Sequence, residues 1–221
     1  MFDNRSNSVQ MERTLSARQL LEVRHRTLPM TGEWGRCVGT MNRHGVVFFW
    51  GNSGNGKSTA VLSFLKELTS FGKVLYIPFE EGYSLSLQNS IRRIGLAECG
   101  PRFQILRNST LEELEERLSR PKSPEFVALD SFQYMQITYR QYLAFRQKHN
   151  NKLLIFISHA DGKQPAGRAA RSVMYDADLK IWVEGYKAFS KGRFIGETGE
   201  AVIWQKGAED YWGIKKQEER I

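Results

Sequence analysis

Cysteine is scarce in this chain of 221 residues: Cys37 and Cys99 are the only 2. Two thiols build neither a disulfide framework nor a four-cysteine zinc site, so a reducing compartment is the expected setting. Proline is scarce as well, 6 residues against 19 glycines, while 41% of residues are hydrophobic. Collagen-like, low-complexity and fully disordered chains are excluded on that basis. Long apolar runs are missing; Gly45–Trp50 and Leu153–Ile157 are the longest, far short of the ~20 residues that cross a bilayer. The opening MFDNRSNSVQMER has no apolar core of the kind a secretory signal carries, so a cytoplasmic protein with no membrane partner is expected. Acidic residues are outnumbered, 24 against 32 Lys and Arg, leaving a formal charge of +8. Such a surplus favours polyanionic partners, although a solvated basic surface carries it equally well. No internal repeat is present.

What is present is an alternation. Val46–Trp50, Val74–Pro78, Phe126–Asp130 and Leu153–Ser158 are short apolar runs of the kind found in strands buried on both faces. Helical spacing fills Ser58–Ser70, Tyr83–Gly95, Thr110–Ser119 and Tyr134–His149, with Phe103–Leu106 a further short strand and Asn108 or Ser109 a cap for the third helix. Ser16 is placed to cap a short amphipathic helix within residues 14–27, which packs on its own domain or docks on a neighbouring subunit. After Asp178, Leu179–Val183, Ala188–Phe194, Ala201–Gln205 and Tyr211–Gly213 read as short strands separated by glycine-containing turns. The expected fold is α/β, a mainly parallel sheet between helices with an antiparallel edge near the C-terminus.

GNSGNGKST (51–59) fits the pattern G-x-x-x-x-G-K-[ST] through Gly51, Gly56, Lys57 and Ser58, between a buried strand and a helix. The glycines, Gly54 included, let the backbone around Asn52, Ser53 and Asn55 curl so that N–H groups face phosphate oxygens. The helix that begins there adds the positive end of its dipole. Lys57 neutralises β- and γ-phosphates, Ser58 offers Mg²⁺ a hydroxyl, and Thr59 closes the loop; ATP and Mg²⁺ are the expected cofactors. EFVALD (125–130) ends in Asp130, a carboxylate at the mouth of a buried strand that can hold the Mg²⁺ shell through water. Ser131 follows it, so the water-activating carboxylate is not the next residue. In ATPases resembling RecA that group ends the strand after the phosphate-loop helix. VLYIPFEEG (74–82) places Glu80 and Glu81 there, Glu80 the first choice and Glu81 the second for orienting and deprotonating water. The bland alternative for both is a surface turn.

GNSGNGKST, VLYIPFEEG and FVALDSFQYM, in this order and spacing, resemble the RecA-type core over about residues 31–206. The pattern is nearest to the DNA-repair ATPase RadA/Sms, the circadian ATPase KaiC and DnaB-type ring helicases. The resemblance implies a three-layer RecA-like P-loop NTPase domain at 31–213, between a tail and short helix (1–30) and a C-terminal tail (214–221). LLIFISHADGKQPAG (153–167) resembles the strand of that family that ends in a polar sensor, here Ser158 and His159, and opens a mobile DNA-facing loop. Lys163, Arg168 and Arg171 on that loop suit a single-stranded DNA backbone; with no aromatic residue among them, base stacking is not implied. FSKGRFIGETGEAVIW (189–204) resembles the Lys-x-Arg segment that ring-forming relatives insert into a neighbour's ATP site. That assigns Lys191 and Arg193 to catalysis across a homo-oligomeric ring or filament. The four-cysteine zinc module and protease-like domain of RadA, and a helicase collar, have no counterpart in these residues. The resemblance implies a Mg²⁺-dependent ATPase acting on DNA in recombination, repair or helicase-like movement. The alternatives are a nucleotide-gated loader or targeting protein and, less well supported, a small-molecule phosphotransferase.

Overall fold

The computed structural model describes residues 14–107, 109–192 and 195–218. In chain order, α1 (Ala17–Leu21), β1 (Thr27–Pro29), α2 (Gly32–Val38) and β2 (Thr40–Asn42) lead into β3 (Gly45–Gly51) and α3 (Lys57–Leu68). Next come β4 (Val74–Pro78), α4 (Leu85–Ile94), a 3-10 segment (Leu96–Arg102), β5 (Phe103–Ile105), α5 (Leu111–Ser119), β6 (Phe126–Asp130), α6 (Phe132–Met135) and α7 (Tyr139–Lys148). The chain closes with β7 (Leu153–Asp161), β8 (Gln164–Pro165), α8 (Arg168–Asp176), β9 (Leu179–Glu184), β10 (Lys187–Gly192), β11 (Ile195–Val202) and α9 (Gln205–Glu218).

One sheet dominates, in the order β11-β10-β9-β3-β7-β6-β4-β5, with β8 paired to the end of β7. From β9 to β5 the pairs are parallel; β10 and β11 form the antiparallel edge. Successive side chains of a strand point to opposite faces, so β3 feeds two cores at once. Val47 and Phe49 pack with α2, α3 and the small β1–β2 ribbon, where Trp34 lies edge-on to Phe49 and Phe64 at 6.1 and 5.0 Å. Val46 and Phe48 pack with Leu114, Phe132, Tyr142, Phe145 and Val173 from α5 to α8. This is the three-layer α/β arrangement expected from the alternation. Among the described residues no helix is long and apolar enough to cross a membrane.

Several expected elements differ in detail. Helix α1 is one short turn capped by Ser16, exposed throughout. The segment after it joins the core instead, through β1 and the fully buried Leu28. Thr110 rather than Ser109 caps α5, because its hydroxyl reaches Glu113 N at 3.2 Å in a reciprocal box; Asn108 lies outside the described residues. The helix expected over Tyr134–His149 breaks at Gln136, which turns left-handed at φ 50°, and restarts at the Thr138 cap. Tyr211–Gly213 is not a strand but part of α9, which runs past residue 214. Its aromatic side chains dock on the β9–β10 turn, Tyr211 Oη on Glu184 at 3.0 Å and Trp212 Nε1 on the Gly185 carbonyl at 3.2 Å.

Candidate nucleotide site

The glycine-rich segment leaves the C-terminal end of β3, beside the ends of β7 and β9. Gly56 caps α3 at φ 87° and ψ 10°, a left-handed conformation that costs a residue with a Cβ roughly 1–2 kcal/mol. Gly51 is required by proximity: a Cβ there would lie 2.4 Å from the Val183 carbonyl oxygen. Asn55 ties the loop to the β9–β10 turn, its Oδ1 accepting from Gly185 N at 2.8 Å and its carbonyl from Tyr186 N at 3.1 Å. Asn52 donates from Nδ2 to the Gly162 carbonyl at 3.2 Å. The loop is therefore braced against the β9–β10 and β7–β8 turns, largely through its two asparagine side chains.

A pocket of about 320 Å³ opens here, shared by Asn52–Gly54 and Gly56–Thr59 with Glu80, Glu81, Asp130 and His159. Lys57 Nζ donates to the Ser158 carbonyl at 3.3 Å. Burial pulls the Lys57 pKa down, against the opposing fields of Asp130 and Glu80. Burial pushes the Asp130 carboxyl up, against the stabilising Tyr76 hydrogen bond and Lys57; the Tyr76 hydroxyl donates to Asp130 Oδ2 at 2.8 Å. The two glutamates are distinguished by their partners. Glu80 Oε2 stands 3.0 Å from His159 Nε2, and Glu80 N reaches the Asp130 carbonyl at 3.3 Å. The Glu81 carboxylate accepts from the Ser84 and Ser86 hydroxyls at 2.9 and 2.7 Å, at the start of α4. His159 is positioned from behind. Gln133 Oε1 accepts from His159 N at 3.2 Å, and Ser131 Oγ lies 3.2 Å from the imidazole. Ser158 is buried beneath the pocket wall, its hydroxyl receiving Gln133 Nε2 at 2.7 Å.

The remaining sequence-derived candidates lie elsewhere. Lys163 is exposed at the β7–β8 turn, its carbonyl accepting from Trp50 Nε1 at 3.1 Å. The basic stretch is not one mobile loop: residues 161–165 form a hairpin with β7, and Arg168 and Arg171 sit on α8. The reason is the run RAARSVMYD, whose Ala170, Val173 and Met174 at helical spacing bury against the sheet. Arg168 is exposed, while Arg171 Nε donates to the Pro165 carbonyl at 3.1 Å and its Nη2 lies 3.5 Å from Asp161. Lys191 pairs across from Lys180 on β9, toward the end of the sheet away from its own Gly51–Val183 register point. Arg193 lies outside the described residues.

The sequence reading missed a second cavity. About 730 Å³ adjoins the loop between Gly56, Thr59, Arg93, Tyr186 and Trp204. The Tyr186 and Trp204 rings meet edge-to-face at 4.9 Å and 87°, and Arg93 Nη2 donates to Thr59 Oγ1 at 3.1 Å. Only the tertiary fold brings these together; the single local cue is a tyrosine after glycine in a turn, held at φ 59°.

A sheet of this order with a glycine-rich loop leaving its central strand is the RecA-like fold. Many solved structures share it, among them one from Pyrococcus and one from Methanocaldococcus. The first is a KaiC-like protein from the hyperthermophilic archaeon Pyrococcus horikoshii OT3, with a TM-score of 0.56 and 14% identity over 81% of this chain and 92% of that one. The second is the flagellar accessory protein FlaH from Methanocaldococcus jannaschii, with a TM-score of 0.59 and 14% identity over 81% of this chain and 99% of that one. No protein-family model matches the chain, and no curated protein matches it. At 14% identity the shared property is the fold.

Proposed function

We propose that this chain hydrolyses ATP with Mg²⁺ and that Glu80 activates the water. The carrying observation is convergence: Lys57 and Ser58, Glu80, Asp130 and His159 come from separate stretches of sequence and line one pocket. The loop amides and Lys57 suit phosphate oxygens. Ser58 and Asp130 offer the hard oxygen donors Mg²⁺ prefers alongside phosphates, and the ion when bound neutralises developing charge. Glu80 is held by His159 where a carboxylate can take a proton from water, whereas Glu81 is committed to two serines. The aromatic-lined cavity of Tyr186 and Trp204 beside the loop suits the nucleotide base. The test is Glu80→Gln: ATP still binds in equilibrium dialysis, and phosphate release falls. Undiminished turnover in that variant overturns the assignment.

The polymer on which turnover acts is, in this reading, single-stranded DNA, with the chain assembled as a homo-oligomeric ring or filament. Support comes from the +8 charge, the exposure of Lys163 and Arg168, and the attachment of the Lys163 hairpin to the strand bearing His159. Lys191 and Arg193 would complete a neighbour's site. The test is ATPase rate with and without single-stranded DNA across a salt series. Stimulation that fades with salt supports it, and indifference overturns it. A second reading, nucleotide-gated binding of a partner protein, draws on the fold shared with a protein named a flagellar accessory and on the engagement of Arg171 by Asp161 and Pro165. DNA-indifferent turnover with partner binding that follows ATP would favour it.

A further inference from the structure

The opposite end of the sheet carries a separate construction. Two cavities of about 860 and 650 Å³ lie against the N-terminal ends of β3 and β7 and share His44, His149, Asn151 and Lys152, so they form one groove. The smaller cavity is lined by six Lys or Arg side chains and a single carboxylate, Glu125. Three of the cations are paired nearby: Arg43 with Glu125, Arg120 with Glu116 and Lys148 with Glu115. Arg26, Lys122 and Lys152 have no carboxylate partner among the described residues.

Two buried groups make this more than a solvated basic face. Lys152 is 6% exposed, and its ammonium donates to the Ser123 hydroxyl at 2.8 Å and the Pro124 carbonyl at 2.9 Å. Both acceptors are neutral, and an ammonium has three N–H groups, so one remains without an acceptor among the described residues. A buried cation with only neutral partners is costly. His149, 2% exposed, has an Nε2 with no hydrogen-bond partner among them. Both side chains stand on the wall common to the two cavities, in the turn that joins α7 to β7. An ammonium hydrogen-bonded only to neutral oxygens, with Glu125 reaching it only through its field, leaves one N–H for an incoming oxyanion.

We infer that this groove binds the phosphodiester backbone of a nucleic-acid strand, apart from both the nucleotide pocket and the β7–β8 hairpin. A strand fits better than a lone phosphate. The groove spans two joined cavities, and its unpaired cations come from three segments: Arg26 before β1, Lys122 between α5 and β6, and Lys152 before β7. Its walls are mostly Lys, Arg, Asn and His, with two carboxylates, Glu125 and Asp178, and no aromatic ring, so contact is with the backbone and tolerant of sequence. This goes beyond the ATPase reading and does not depend on it.

The experiment is fluorescence anisotropy of a labelled oligothymidylate, with no nucleotide present, across a salt series. The variant is Arg26→Ser with Lys122→Asn, both exposed positions; Asn tolerates the left-handed φ of 61° at 122. Wild type should bind with a steep salt dependence. The double variant should bind about tenfold more weakly, with a log–log slope lower by about 1.4, two phosphates at about 0.7 each for single strands. An Arg18→Ser, Arg92→Ser variant, at exposed cations outside the groove, should keep the wild-type slope. Absence of binding by wild type, an unchanged slope in the groove variant, or an equal loss of slope in the Arg18, Arg92 variant each overturns the inference. So does binding of inorganic tripolyphosphate, lost in the groove variant, without binding of the oligonucleotide. Because turnover is not read, the ATPase assignment stands or falls separately.

Discussion

The two ends of the parallel sheet handle charge in opposite ways. At the nucleotide end, opposite signs and hydrogen-bonding partners are interleaved at short range: Lys57 on the Ser158 carbonyl, Asp130 on Tyr76, Glu80 on His159. At the other end cations outnumber carboxylates, and Lys152 rests on neutral oxygens. Interleaved charge suits a site where charge must be moved and a proton transferred, since each group is held in place by another. A surplus of one sign suits a site that only has to attract. The contrast teaches that burial alone does not mark function. What separates the ends is whether the buried ionisable groups have answering partners within the chain.

The comparison breaks first if the nucleotide end is not catalytic. Lys57→Ala should show the largest effect, at least a thousandfold loss of phosphate release at saturating ATP, on the order of the 10³–10⁵ that a single charge at the transferring phosphoryl group is worth. Glu80→Gln should follow, with a loss of about 10²–10⁴ and ATP binding retained, the range of a positioned general base. Glu81→Gln sharpens the point, since a carboxylate engaged by Ser84 and Ser86 should be replaceable within a few-fold; phosphate-release assays on the pair decide which acid faces water. Equal losses for both would remove the distinction. Trp204→Ala should be milder, raising KM for ATP about tenfold with kcat nearly unchanged, as expected for loss of one base-stacking ring. A change in kcat with constant KM would place the base elsewhere.

The legible parts of this molecule are those whose chemistry and backbone requirement share one short segment. Gly51 to Thr59 declared itself because left-handed glycine, lysine and hydroxyl are needed within nine positions, and Asp130 because a charge at the end of FVAL is conspicuous. The parallel strands were readable for the same local reason, being apolar on both faces. Glu80 against Glu81 was not separable until Ser84 and Ser86 were seen to hold the second. Tyr186 and Trp204 are 18 positions apart in sequence and meet only because β10 and β11 fold back, so no periodicity announces them. The basic stretch misled because Gly162, Pro165 and Gly167 suggested a loop, while the alanines after them bury a helical face. No sequence pattern marks Lys152 or His149 as buried; only the closure of α7 onto β7 buries them.

The smallest expected effect concerns a cost that both ends share. Burial disfavours the charged form of Asp130 and, at the other end, of Lys152. The Asp130 value lies above its ordinary 3.8 in the folded chain, so well below that pH the carboxyl is neutral in both states and no penalty exists. As pH rises, the unfolded chain releases its proton first, and stability falls until the pH passes the raised folded value. Asp130→Asn removes this term while keeping an acceptor for Tyr76, so its nucleotide-free melting temperature should exceed wild type at neutral pH by a margin that shrinks on acidification. Lys152→Met should show the mirror trend. Its charged form is the disfavoured one, so its margin over wild type should be widest at neutral pH and close as pH rises through the lowered folded value toward the ordinary 10.5. Differential scanning fluorimetry across pH reads both. A lower melting temperature for Lys152→Met than for wild type at neutral pH would mean that the ammonium is well partnered after all, and the contrast between the ends would lose its energetic basis.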